Sequence, residues 1–327
     1  MDPQQYKTTK TRRGYTYSYY LSKSAEESKP FILFLHGFPS TSQDWAGQVS
    51  YFANKGYNII APDLLGYGKT SHPEDAKEYQ LVDIAEDVID ILNNENVEKV
   101  ILIGHDWGSM LSSRIVNLFP ERLSAVAFLA VGYSPPQADY DYEKYMALTK
   151  GMVGYELFGY WEYFSSKDSA KKCEENIDSF YSLLFPADPT IWKTDLGPRG
   201  KIREWVENNK QGPLASYLSH EEKESHKKAL LEGGLLGPCN WYAAKAGGLS
   251  NEAEARIPQE RYAFSIPSFY GAALQDYICI AGINKMLMPR FASNLTIEDF
   301  NTSHWIMFEA GDQLNTALDK FITGLKQ

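Results

Sequence analysis

The apolar positions of this chain gather in short continuous runs. Phe31-Ile-Leu-Phe-Leu35 is one, Tyr57-Asn-Ile-Ile-Ala61 a second, Val100-Ile-Leu-Ile103 a third and Ala125-Val-Ala-Phe-Leu-Ala-Val131 a fourth. Strands covered on both faces read this way, as in parallel sheets. Tyr15 to Leu21, rich in Tyr and Ser, also suits a strand. Between the runs the spacing becomes helical. Leu81 to Leu92 places Ile84, Val88, Ile89 and Leu92 on one face, and Ser109 to Phe119 predicts the next helix. This alternation predicts a mostly parallel, doubly wound α/β sheet.

The pattern breaks after Val131. Gly132-Tyr-Ser-Pro-Pro136 is a turn cluster, and no strand run of the earlier kind follows until beyond Asn251. The stretch between is aromatic and helix-like, with loops at Pro186-Ala-Asp-Pro189, Gly197-Pro-Arg-Gly200 and Gly233-Gly234. It reads as an inserted helical cap over residues 133–250, on a core made of 1–132 and 251–327. Strand patterning resumes at Ile266 to Leu274 and at Asn294 to Ile297, and a last helix is expected from Gly311 to Leu325.

Gly104-His-Asp-Trp-Gly108 lies between the third run and its helix. Glycines two places either side of Asp106 suit the sharp strand-to-helix turn that holds a nucleophile out of the backbone. An aspartate in a Gly-rich turn is, alone, an ordinary turn residue. The strand and helix flanks, with His36-Gly-Phe-Pro39 after the first run, make the nucleophile reading the stronger one. Serine, the usual occupant, attacks acyl carbon. Aspartate suits an sp³ carbon attacked in line, which leaves an alkyl ester of Asp106 for water to hydrolyse.

Hydrolysis needs an oxyanion hole and a base. The backbone N–H groups of Phe38 and Trp107 are the expected donors, their side chains lining the pocket. His304, in Asn301-Thr-Ser-His-Trp305, follows the last strand run and is the expected base. Asp276, in Leu274-Gln-Asp-Tyr277, can accept the imidazole Nδ1–H and fix the tautomer that activates water. The chain order Asp106, Asp276, His304 is the nucleophile, acid, histidine order of α/β-hydrolases. Asp299 is the second choice of acid. Val131-Gly-Tyr-Ser134, another place for one, holds no carboxylate.

Together these residues resemble the soluble, capped epoxide hydrolases of the α/β-hydrolase fold. The resemblance runs from about Arg13 onward. It rests on His36-Gly-Phe-Pro39, Asp63-Leu-Leu-Gly-Tyr-Gly68, Gly104-His-Asp-Trp-Gly108, Asn240-Trp-Tyr242, Asp276 and Ser303-His-Trp305. It implies a small apolar epoxide opened by water to a vicinal diol, with no cofactor or metal. It also implies two cap tyrosines that bind the substrate and donate hydrogen bonds to the epoxide oxygen. Tyr242 matches one through its Asn-Trp-Tyr setting. Tyr160, in Tyr160-Trp-Glu-Tyr-Phe164, matches the other best, with Tyr155 and Tyr163 close by. Phenols, with an unperturbed pKa of about 10, stay neutral at pH 7 and can protonate an alkoxide. Ser109 departs from the pattern, standing where many relatives carry a second glycine, and local repacking is expected there.

Two other readings share some of these residues. A haloalkane or haloacid dehalogenase uses the same aspartate and ester, but a halide leaves without a proton, so Phe38 and Tyr242 count against it. A ligand-binding protein on the same fold has no need of a full nucleophile, acid and base set.

Composition narrows the setting. The 327 residues suffice for one large α/β domain with an insertion. A net charge of -10 argues against nucleic acid as a partner. Cys173, Cys239 and Cys279 show neither disulfide nor zinc spacing. The basic stretch before Arg13 has no apolar run behind it, unlike a secretory signal. No run approaches the roughly 18 apolar residues of a membrane span. The expectation is a cytoplasmic enzyme, monomeric or homodimeric. His36 and His105 are expected to be structural, and His72, His220 and His226 solvated.

Overall fold

One sheet of eight strands organises the described residues, 1–24 and 29–325 of this computed structural model. The strands are β1 (Tyr6–Lys10), β2 (Thr16–Ser22), β3 (Phe31–Leu35), β4 (Asn58–Pro62), β5 (Val100–His105), β6 (Leu123–Leu129), β7 (Ser268–Ala273) and β8 (Leu295–Phe300). Their order is β1-β2-β4-β3-β5-β6-β7-β8. The β1–β2 and β2–β4 pairs are antiparallel and all others parallel. The continuous apolar runs became β3 to β6, and every residue of β4 and β5 is buried. The edges differ from the sequence expectation. β1 carries no apolar run and β8 extends to Phe300 through exposed Glu298 and Asp299, because an edge strand needs no apolar cover on both faces.

Helices α1 (Ala46–Asn54), α2 (Leu81–Asn94) and α3 (Trp107–Leu118) connect the first strands. The stripe Ile84, Val88, Ile89 and Leu92 of α2 is buried as its spacing requires. Between β6 and β7 the chain runs through α4 (Tyr142–Val153), α5 (Tyr160–Phe164), α6 (Ser169–Glu175), α7 (Ile177–Leu184), α8 (Lys201–Glu207), α9 (His220–Gly233), α10 (Leu236–Ala246) and α11 (Asn251–Ala255). After β7 come α12 (Ala281–Leu287), α13 (Ile306–Glu309) and α14 (Gly311–Thr323).

The inserted helices are bonded to the sheet side at buried points. The Trp241 indole N–H donates to the Leu65 carbonyl, and that of Trp305 to the Leu184 carbonyl, each at 2.9 Å. His226 corrects the sequence reading. It is buried, with Nε2 2.8 Å from the Pro39 carbonyl. His226 and Leu230 lie four apart and form the buried face of a helix that is otherwise polar.

β3 pairs with β4 on one side and β5 on the other, so the strand order reverses there. Ligands of open α/β sheets bind at the carboxyl ends of the strands beside such a reversal. Leu35 is in register with Gly104. The loop His36-Gly-Phe-Pro39 and the turn at Asp106 therefore leave the sheet side by side.

Candidate active site

Asp106 follows β5 with φ 54° and ψ -121°. Few residues other than glycine hold a positive φ, and such strain concentrates at functional sites. The flanking glycines make the turn possible. A Cβ at Gly108 would overlap the backbone of Leu35 and His36, and one at Gly104 would overlap the Gly108 carbonyl. Ser109 adds a brace. Its hydroxyl donates to the Gly104 carbonyl at 2.7 Å and accepts from the Leu129 N–H at 3.2 Å, fastening the turn to β6.

The Phe38 N–H donates to Asp106 Oδ1 at 2.8 Å. Gly37 permits this approach, since a Cβ there would run into the Asp106 carboxylate. Trp107 opens α3, where a backbone N–H has no carbonyl within the helix to bond. His36 holds the Phe38 loop: Nε2 accepts from the Leu64 N–H at 2.9 Å, and Nδ1 donates to the Gly37 carbonyl at 2.9 Å. Complete burial pushes its pKa down to about 4, so it stays neutral.

On the far side, β7 and β8 run on in step: the Leu274 N–H bonds Phe300 and the Gln275 N–H bonds Thr302. This brings Asp276 beside His304. His304 Nδ1 is 2.6 Å from Asp276 Oδ2, and Nε2 is 3.5 Å from Asp106 Oδ2. Asp276 Oδ1 accepts from the Ile278 and Cys279 N–H groups at 2.9 and 2.8 Å, which fixes the acid. His105 bonds elsewhere: its Nε2 donates to the His304 carbonyl at 2.9 Å.

The charges support one another. Burial works against a protonated His304, but the Asp276 charge and the hydrogen-bonding carboxylates of Asp106 and Asp276 outweigh it, and its pKa stands well above the ordinary value. Burial likewise works against an ionised Asp106. The facing His304 outweighs it, and the carboxyl is held below its usual range. Each charge favours the other: the site supports the protonated form of His304 and the ionised form of Asp106.

Two chambers meet at Asp106, and Tyr160 and Tyr242 line both. Their rings are 5.7 Å apart, edge to face, Tyr160 from α5 and Tyr242 from α10. Tyr242 also packs edge-on against Phe38 at 4.9 Å and Trp107 at 5.1 Å. Burial first, and the nearby Asp106 charge in addition, push both phenols well above their ordinary pKa. Tyr155 and Tyr163 line neither chamber. Tyr155 donates to the Tyr277 carbonyl at 2.7 Å instead. Asp299 is half-exposed and paired with Lys285.

The smaller chamber, about 30 Å³, touches His304, Phe38, Trp192 and Trp305. The larger, about 400 Å³, is lined by Asp106, Trp107, Met110, Pro135 and Lys245, among others. The sequence reading missed Cys279, Trp192 and Lys245. Cys279 follows Asp276 by three residues and lines both chambers, its thiol pushed up to about 12 by burial and Asp276. Asp276, Cys279 and His304 bring ligand-type atoms within 4.8 Å of one another. Within this group His304 Nδ1 and Asp276 Oδ2 are already engaged with each other at 2.6 Å. No described helix is long and apolar enough to cross a membrane.

A family described as alpha/beta hydrolase fold matches residues 30–310. Epoxide hydrolase 3 of Siraitia grosvenorii is 39% identical over 308 residues, covering 90% of this chain and 92% of that one. Epoxide hydrolase srdG of Neurospora crassa is 25% identical over 317 residues, covering 94% and 92%. The crystal structure of epoxide hydrolase A from Mycobacterium thermoresistibile superposes with a TM-score of 0.80 at 24% identity, covering 98% of each chain. With a family match over most of its length and relatives of this kind along nearly all of it, the chain belongs to the α/β-hydrolase fold family, among the epoxide hydrolases.

Proposed function

We propose that the chain hydrolyses an epoxide to a vicinal diol through an ester of Asp106. One observation carries the reading: a carboxylate held between an amide donor and a histidine faces two buried phenols where two chambers meet. Asp106 Oδ2 attacks a ring carbon, forming the C–O ester bond as the ring C–O bond breaks. Tyr160 and Tyr242 donate to the departing oxygen and supply its proton. A buried phenol with a raised pKa keeps its proton at rest and gives it up only to a base as strong as an alkoxide.

Esterification removes the Asp106 charge and with it one support of the imidazolium. His304 then becomes a better base at the stage that needs one. Its proton restores the tyrosinate left by ring opening, and the neutral imidazole then takes a proton from water as the water oxygen attacks Cγ of the ester. The smaller chamber has room for that water. The oxyanion forms on Oδ1, against the N–H groups of Phe38 and Trp107. Collapse releases the diol with the former Oδ2 and leaves the oxygen of water in Asp106.

In this reading residues 133–250 are the cap, and 1–132 with 251–327 the core. The chamber linings favour a largely apolar substrate. The three cysteines form no disulfide, which supports a reducing, cytoplasmic setting. A single turnover in ¹⁸O water tests the mechanism. Label is expected in Asp106 and not in the diol; label placed directly in the diol excludes the ester. Halide release from haloalkanes without epoxide turnover would favour the dehalogenase reading.

A further inference from the structure

The loop that carries the Phe38 donor is held from two sides. On one side His36 bonds the Leu64 N–H and the Gly37 carbonyl. On the other stands the buried His226, from the inserted helix α9. Its Nε2 lies 2.8 Å from the Pro39 carbonyl and 3.4 Å from Asp44 Oδ2. Both partners are acceptors, so Nε2 carries the proton and donates. Nδ1 is left to accept from the Tyr181 hydroxyl, at 3.3 Å.

This bond falls at a sensitive place. The Ser40 N–H donates to the Gly37 carbonyl at 3.1 Å, which closes a tight turn with Phe38 and Pro39 at its centre. Pro39 has no N–H, so its carbonyl is the one backbone group by which it can be tied. A shift of that carbonyl is passed to Phe38 within the same turn, and the Phe38 N–H is the group 2.8 Å from Asp106 Oδ1. The rings beside His226 lead on to the base. Phe185 is edge-on to His226 at 5.3 Å and stacks on Trp305 at 4.4 Å, and Trp305 is edge-on to His304 at 5.1 Å. Packing alone does not call for a histidine here. The other residue that α9 buries is Leu230, and an apolar side chain would fill such a face without the cost of desolvating an imidazole.

We propose that His226 is a positioning residue for ester hydrolysis: by fixing the Pro39 carbonyl from α9, it holds the Phe38 N–H where the oxyanion forms on Asp106. This rests on the reading of Asp106 as the nucleophile of an epoxide hydrolase. The effect belongs to one step. During ring opening the Asp106 carboxylate loses charge, so a donor on Oδ1 favours the ground state at least as much as the transition state. During ester hydrolysis charge grows on Oδ1, and a well-placed donor lowers the barrier.

His226→Phe keeps a ring against Tyr181 and Phe185 and removes the donor; His226→Leu carries the same test should phenylalanine not be accommodated. With styrene oxide as the probe, rapid-quench intact-mass measurements separate ester formation from ester hydrolysis. Hydrolysis is expected to slow by about tenfold, less than the roughly 10²–10³-fold of a donor removed outright, with formation unchanged. In the steady state kcat then falls while kcat/KM, set by the steps up to the ester, holds. His226→Gln, whose amide N–H has similar reach, is expected to recover most of the loss. Leu230→Ala, which loosens the same helix face and leaves the bond to Pro39, is expected to leave both steps alone. Equal slowing of both steps, no slowing, no recovery with glutamine, or the same defect in Leu230→Ala overturns the proposal. A wild type that forms no ester of Asp106 would count against the hydrolase reading instead. Amide hydrogen exchange of the segment 36–41 needs no substrate and then still decides the role of His226. Exchange about tenfold faster in His226→Phe than in the wild type, the scale of one hydrogen bond, supports it, and equal exchange refutes it.

Discussion

The Phe38 amide donates to Asp106 Oδ1 at 2.8 Å, and this gives the two carboxylate oxygens different tasks before any substrate arrives. In the proposed mechanism, Oδ1 already occupies the position where negative charge develops during ester hydrolysis. Oδ2 faces His304 at 3.5 Å and is, in the same proposal, the attacking oxygen. A hole that is formed in advance needs no reorganisation when the charge appears.

Gly37→Ala tests that arrangement. The added methyl would collide with the Asp106 carboxylate, so the loop must withdraw and the Phe38 N–H with it. Loss of one such donor lowers turnover by about 10²–10³-fold. Steady-state kinetics should show this while circular dichroism stays unchanged.

His304→Gln separates the two chemical steps. Asp106 keeps its Phe38 donor and its phenols, so the ester still forms, but no base activates water. Intact-mass spectrometry should find the enzyme heavier by one substrate molecule, with diol release slowed by about 10²–10⁴-fold, the usual contribution of general base catalysis. An unmodified, inactive variant would contradict the assignment.

In the proposed mechanism the phenols act on the first step alone. Tyr160→Phe and Tyr242→Phe should each slow ester formation by about tenfold or more, and the pair by about 10²–10⁴-fold. Single-turnover fluorescence can follow this step, because Trp107 packs on Tyr242 at 5.1 Å. Hydrolysis of a preformed ester should be unaffected.

Much of this was legible in the chain, for identifiable reasons. The runs at Phe31 and Val100 are read as buried strands because both faces must be apolar. The chemistry of Asp106 follows from a carboxylate placed where a serine usually attacks. The resemblance, more than any periodicity, pointed to Tyr160, and only the fold separates it from Tyr155, whose hydroxyl is spent on the Tyr277 carbonyl. Edge strand β1 was illegible because its pattern is polar. Lys245 was illegible because its burial depends on Glu254 and Arg114, both distant in sequence. Its spacing of three from Tyr242 was the one available hint. His226 was misread because α9 is polar apart from the face it shares with Leu230.

The Asp106–His304 pair predicts how stability responds to pH. The His304 pKa is raised in the fold, so its contribution is complete below the unfolded value of about 6.5 and is lost as pH rises through the folded one. The Asp106 pKa is lowered, so its contribution is present above the unfolded value of about 3.9 and is lost as pH falls through the folded one. The stability difference between wild type and His304→Gln should therefore be largest between about pH 4 and 6.5 and shrink on the alkaline side. Calorimetric Tm values across pH measure it, and a difference that grows with pH would contradict the pairing.

Lys245 predicts the opposite trend. Burial lowers its pKa to about 8 from 10.5, with Arg114 adding to the effect and Glu254 resisting it. Glu254 from α11, Arg114 from α3 and Tyr140 before α4 are the titratable groups that face it. Below pH 8 the ammonium is charged in both folded and unfolded chains, so the full cost of burying it is present. Between pH 8 and 10.5 the folded protein gives up the proton first and the cost fades. At about 1.4 kcal/mol per pKa unit the cost is about 3 kcal/mol. Lys245→Met, a neutral side chain of similar reach, should therefore be more stable than the wild type at pH 7, and the gain should vanish near pH 10.5. Urea unfolding at the two pH values decides the point. A gain at pH 7 is expected of a buried cation held at the expense of stability, whereas a loss at pH 7 would show that its pairing with Glu254 outweighs the burial.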